Sequence, residues 1–141
     1  MQPFSHPYNH VKCCERLTRE YQAHDHSLLV AFDFDNTVFD YHQEGDDYTC
    51  VINLLREAKS LGMKLILFTT ENDDGKLSAK VDWCSEHGIA PDYVNESPVF
   101  HDSKKPYYNI LLDDRAGLVA AYDQLSAVID VIKTHKLYES T

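Results

Sequence analysis

The chain has 141 residues, 43% of them hydrophobic, the size and balance of one ordinary domain able to bury a core. Its formal charge is −10, from 13 Lys+Arg against 23 Asp+Glu, and no strong basic run gathers the positive residues, so nucleic acid is an unlikely main partner. No apolar run approaches the ~20 residues of a membrane span, and Met1 to His6 lack the basic and apolar regions of a secretion signal, so a cytoplasmic protein without a membrane partner is expected.

Residues 1–7 read as irregular, with Pro3 and Pro7. From Tyr8 to His24 the apolar positions Val11, Cys14, Leu17 and Tyr21 recur at helical spacing, which predicts an N-terminal helical extension (1–26) packed on the core. His6, His10, Cys13 and Cys14 are close enough to suggest a metal clip, but they match no standard zinc pattern, and a solvated helix is the preferred reading. With Cys50 and Cys84 the chain has four cysteines and no C-x-x-C, the usage of reduced thiols.

Leu28 to Phe32 is an unbroken apolar run, the signature of a strand buried on both faces. It ends in Asp33 and Asp35, which stand two apart and so share a face, where the pair can act at one point. Asn36 to Asp47 forms a loop or short hairpin over this pair, and Phe39, Tyr41 and His42 either line a pocket or anchor the loop. A helix from about Tyr48 to Leu61 follows, capped by Asp46 or Asp47 and stopped by Gly62. Met63 to Thr69 is a second apolar strand, ending in the hydroxyls of Thr69 and Thr70.

Asn72-Asp73-Asp74-Gly75 is a turn and cap before a helix from about Lys76 to His87, with Leu77, Val81 and Cys84 facing inward and Gly88 as its stop. Trp83 and His87 read as packing and surface residues. Pro91 to Glu96 suggests a short third strand, and Ser97 to Pro106 a loop carrying His101, Asp102, Lys104 and Lys105. A fourth strand, Asn109 to Leu112, runs into Asp113-Asp114-Arg115, and a helix from Gly117 to about His135 precedes a polar tail. No repeat or linker interrupts this order, so residues 1–141 are expected to form one domain.

Apolar strands alternating with helices predict an α/β fold with a parallel sheet and right-handed crossovers. Ligand sites in such sheets lie beyond the carboxyl ends of the strands, where Asp33, Asp35, Thr69, Asp113 and Asp114 all fall. One polar strand end is ordinary; three carrying acids and a hydroxyl make a site. Carboxylate oxygens without His or Cys partners suit Mg²⁺, which keeps several waters and takes few protein ligands. A cation there lets Asp33 approach and attack an anionic phosphate, while Thr69 and an ammonium at Lys104 or Lys105 hold its equatorial oxygens.

Asp33-Phe34-Asp35-Asn36-Thr37 resembles the D-x-D-x-T motif of the haloacid dehalogenase-like (HAD) superfamily of phosphatases. Leu65 to Thr69 is similar to its second motif, Lys105 to its third-motif lysine and Asp113-Asp114 to its acidic fourth motif, in the same order. The resemblance runs from Leu28 to about Leu125, and K-P closely preceding D-D-R is especially like some members. It implies a three-layer Rossmann-like sheet with helices on both faces. It also implies an aspartyl-phosphate on Asp33, acid and base work by Asp35 with its backbone carbonyl on the metal, and phosphoryl binding by Thr69 and Lys105. Mg²⁺ would be ligated by Asp33 and Asp114, with Asp113 acting through water or orienting that shell.

Asp35 argues for phosphate chemistry, since the dehalogenases of the superfamily lack that second aspartate. The interval from Thr37 to Thr69, like that from Thr69 to Lys105, has room only for core elements, so no large cap domain is expected. The open site then needs a flap, a partner subunit (a homo-oligomer) or a large substrate to exclude water. Thr70-Glu71 departs from relatives that often carry Arg there. The leading expectation is a Mg²⁺-dependent phosphomonoesterase acting on a small phosphorylated metabolite or nucleotide. A nucleic-acid end phosphatase and a low-turnover regulatory or binding module are the alternatives.

Overall fold

The computed structural model describes residues 9–99 and 106–139; His6, Lys104 and Lys105 lie outside them. The elements run α1 (His10–Ala23), β1 (Leu29–Asp33), α2 (Thr49–Ser60), β2 (Lys64–Phe68), α3 (Asp74–Glu86), β3 (Tyr93–Val94), β4 (Ile110–Leu112) and α4 (Leu118–Glu139). The strands form a parallel sheet in the order β3-β2-β1-β4. This is an α/β protein with a Rossmann-like parallel sheet. Among the described residues no helix is long and apolar enough to cross a membrane.

The register explains the apolar strands. Val30 pairs with Leu65 and Ile110, and Phe32 with Leu67 and Leu112, so all six share one face. These six join Leu17 and Tyr21 of α1, Leu54 and Leu55 of α2, Cys84 of α3, and Leu125 and Ile129 of α4 in one buried cluster. On the opposite face Ala31 and Ile66 are equally buried outside that cluster, and the Phe68 and Tyr108 rings meet edge to face at 5.8 Å. All four helices contribute side chains to the cluster on the first face. The crossovers through α2 and α3 step in the same direction along the sheet, and right-handedness puts them on one side. The β3–β4 connection, which returns past β2 and β1, shows no helix in its described part.

Side chains lengthen the short outer strands. Asn109 Oδ1 accepts the Leu29 N–H at 2.7 Å, Asp92 Oδ2 the Leu65 N–H at 2.9 Å, and Asn95 Oδ1 the Thr69 N–H at 2.9 Å. Each satisfies a backbone donor that the two- or three-residue strands β3 and β4 leave over. Helix starts follow the usual chemistry at α1, where Asn9 accepts the Lys12 N–H, and at α3, where Asp73 accepts that of Lys76. At α2 the cap position falls on Tyr48 without a side-chain bond, and Asp47 accepts the Thr49 N–H from one residue farther out.

Candidate functional site

Chain connections leave β1 toward β2 on one side, while β4 closes the sheet on its other side. Between β1 and β4 the strand order reverses, and the space beyond their carboxyl ends is where open α/β sheets bind ligands. Asp33 ends β1, and Asp113 and Asp114 follow β4. One carboxylate oxygen from each lies within 4.8 Å of the other two. Asp33, Asp113 and Asp114 are thus brought together.

Thr37 ties the two strand ends together. It is fully buried, its hydroxyl accepts the Asp114 N–H at 3.1 Å, and it lies 3.5 Å from Asp33 Oδ2 and from Asp114 Oδ1. Its single proton serves one of the two carboxylates at a time. The turn that brings Thr37 back is compact: Phe34 O accepts the N–H groups of Val38 and Phe39 at 3.1 Å each, Asn36 N donates to Phe39 O at 2.7 Å, and Asn36 adopts φ +61°. Asparagine tolerates that left-handed conformation at small cost.

Three acids so close cannot all ionise freely. Burial raises the Asp33 carboxyl, the Asp113 charge, the hydrogen bond with Asp114 and the Asp114 charge push it further, and the Phe34 N–H opposes them; the result is about 7. Without a cation Asp33 therefore holds its proton until near neutrality. A donor set made only of carboxylate oxygens, mutually repulsive and partly exposed, fits a hard divalent cation such as Mg²⁺ with waters completing its shell.

Asp35 stands apart from this set. Its Oδ2 pairs at 3.4 Å with Nζ of Lys80 on α3, whose ammonium lies 5.3 Å from the centre of the Phe34 ring. Lys80 was not a candidate from sequence. The available signal was its position three residues after Leu77 and four before Cys84, a charge within the inward-facing stripe of α3. Thr69 follows Phe68, the register partner of Asp33, so its hydroxyl lies at the same edge of the sheet. That hydroxyl accepts the Glu71 N–H at 3.1 Å, which leaves its own proton to donate. Asn95, which fixes the Thr69 backbone, was also missed. Glu71 Oε1 is buried without a hydrogen-bond partner among the described residues. Lys104 and Lys105 lie outside the described residues.

The flap divides into an anchor and a tip. Phe39 stacks on Phe34 at 5.3 Å and meets Trp83 at 5.7 Å, so it anchors the loop, whereas Tyr41 is 59% exposed. Asp40 accepts the N–H groups of Glu44 and Gly45 at 3.1 and 2.9 Å, which closes the tip into a turn. Burial raises the Tyr48 phenol, with Asp46, Asp40, Glu44 and Asp114 adding to it in that order. Trp83 and His87 stack at 3.7 Å, as packing residues do. No disulfide joins the four cysteines; Cys14 Sγ lies 3.5 Å from His10 Nε2, and burial lifts the Cys84 thiol to about 12.

These features define a Rossmann-like α/β protein with a carboxylate cluster at its topological switch point. Neither a protein-family model nor a curated protein matches the chain. Among solved structures it is similar to one described as the conserved protein coded by locus from Bacteroides thetaiotaomicron. The two are 23% identical with a TM-score of 0.56, over 77% of this chain and 92% of that one. At that identity the likeness establishes the fold alone.

Proposed function

We propose that this chain is a capless HAD-like phosphatase, a Mg²⁺-dependent phosphomonoesterase acting through an aspartyl-phosphate on Asp33. The observation that carries the reading is the Asp33, Asp113 and Asp114 cluster beyond the parallel strands, joined by the buried Thr37 hydroxyl. Bound Mg²⁺ would supply the positive charge that lets a phosphate dianion enter this acidic region. A carboxylate oxygen of Asp33 attacks phosphorus, the P–O bond to the alcohol breaks, and the departing oxygen takes the proton that Asp35 carries into the step in its acid form. Water then attacks the acyl phosphate, Asp35 takes its proton, and inorganic phosphate leaves. Thr69 donates its hydroxyl proton to a phosphoryl oxygen, and Lys105 is the proposed ammonium beside it.

The proposed substrate is a small phosphorylated metabolite or nucleotide, with the flap excluding water from the open site. Hydrolysis of p-nitrophenyl phosphate tests the reading. Turnover is expected with Mg²⁺, lost with EDTA and lost in Asp33→Asn. Unchanged turnover in Asp33→Asn would overturn the mechanism.

A further inference from the structure

Asp33 and Asp35 are two residues apart, yet they have different surroundings. Asp33 belongs to the carboxylate trio; Asp35 does not, and pairs instead with Lys80. The backbone between them offers little freedom. The turn after Phe34 is fixed by the hydrogen bonds to Phe34 O and by that from Asn36 to Phe39. What remains free at Asp35 is its side chain, and a second carboxylate beside a cation site is a natural extra ligand for the metal. The Lys80 side chain is only 19% exposed, and its ammonium is held over Phe34, itself 4% exposed. A lysine held this way has lost most of its rotamer freedom already, unlike a lysine in a solvated surface pair.

We propose that Lys80 is a positioning residue that holds the Asp35 carboxylate out of the cation-binding set of Asp33, Asp113 and Asp114. The two aspartates of the turn can then do separate work, one on the metal and phosphorus, the other on the leaving group. This rests on the metal site of the proposed phosphatase, but not on turnover. Lys80 touches neither metal nor phosphorus in this role; it acts through Asp35.

Mn²⁺ binding, followed by electron paramagnetic resonance, separates this role from a simple charge effect. Wild type, Lys80→Met, Asp35→Asn and the double variant form a cycle, with circular dichroism as the check on folding. Removing any nearby positive charge tightens cation binding, so Lys80→Met is expected to do so in both backgrounds. If Lys80 restrains Asp35, the gain is about fivefold or more greater with Asp35 present than in the Asp35→Asn background. Lys80→Arg keeps the pairing cation and is expected to bind Mn²⁺ as wild type does. Lys80→Gln replaces the Met variant if that one is unstable. Equal gains in the two backgrounds would overturn the inference while leaving the metal site standing. Failure of wild type to bind Mn²⁺ would overturn both, whereas binding without turnover would overturn only the phosphatase.

Discussion

Thr37 has no exposed surface, and its hydroxyl both accepts the Asp114 N–H and lies within 3.5 Å of carboxylates from two strands. Thr37→Val conserves shape but leaves a backbone donor without its acceptor and two carboxylates without a shared proton. Such a loss costs about 1–3 kcal/mol when the abandoned group stays buried. Urea unfolding is expected to report a loss at the low end of that range, because Asp114 is exposed. Thr37→Ser, which keeps the hydroxyl, should recover most of it. Equal stability of the Val and wild-type proteins would show that the bridge contributes nothing. Thr37 is legible as part of the D-x-D-x-T pattern; its function as a tie between strand ends is not, because its partner lies 77 residues away.

The helices show the same division between local pattern and distant partner. Leu17, at a helical spacing from Cys14 and Tyr21, is completely buried in the cluster that contains Leu125 and Ile129 of α4. The N-terminal helix is thus continuous with the core. Leu17→Ala is expected to cost about 2–5 kcal/mol, the usual penalty for a buried Leu truncated to Ala. A loss under about 1 kcal/mol in thermal or urea unfolding would instead mark α1 as a detachable extension. In α3, by contrast, Leu77 and Val81 are only partly buried, and Lys80 between them pairs with Asp35. A charged residue in an apolar stripe was readable as an anomaly. Its target depended on where the β1 turn comes to rest.

At the scale of the molecule, the −10 charge and the acidic switch point are expected to make stability depend on pH and, through the proposed metal site, on cations. Asp33 has an ordinary value of 3.8 and a folded value of about 7. Between these the folded protein keeps a proton that the unfolded chain has lost, so this carboxyl makes stability fall as pH rises through the window. Metal-free wild type should therefore lose Tm between about pH 4 and about pH 7, and Asp33→Asn should flatten that slope. The same slope in both proteins would assign the pH dependence to other groups. Mg²⁺ at neutral pH should reverse the loss, by about 2.7 kcal/mol at a hundredfold excess over its Kd. EDTA should remove the gain, and Asp114→Asn should reduce it. No Tm response to Mg²⁺ in wild type would count against the metal site.

Apolar runs and helical spacings were enough to specify the order of elements, the parallel sheet and the acids at the strand ends. Strand burial, helix stripes and stops such as Gly62 and Gly88 act over a few residues and leave their trace locally. The pairing of β1 with β4, which makes Asp33 meet Asp113 and Asp114, was inferable only through the rule that sites lie at strand ends. Tertiary structure alone decided the side of the sheet taken by the helices, the Thr37 tie, Asn95 at Thr69 and Lys80 at Asp35. Each of these depends on side chains brought together from distant segments, and no spacing along the chain encodes that distance.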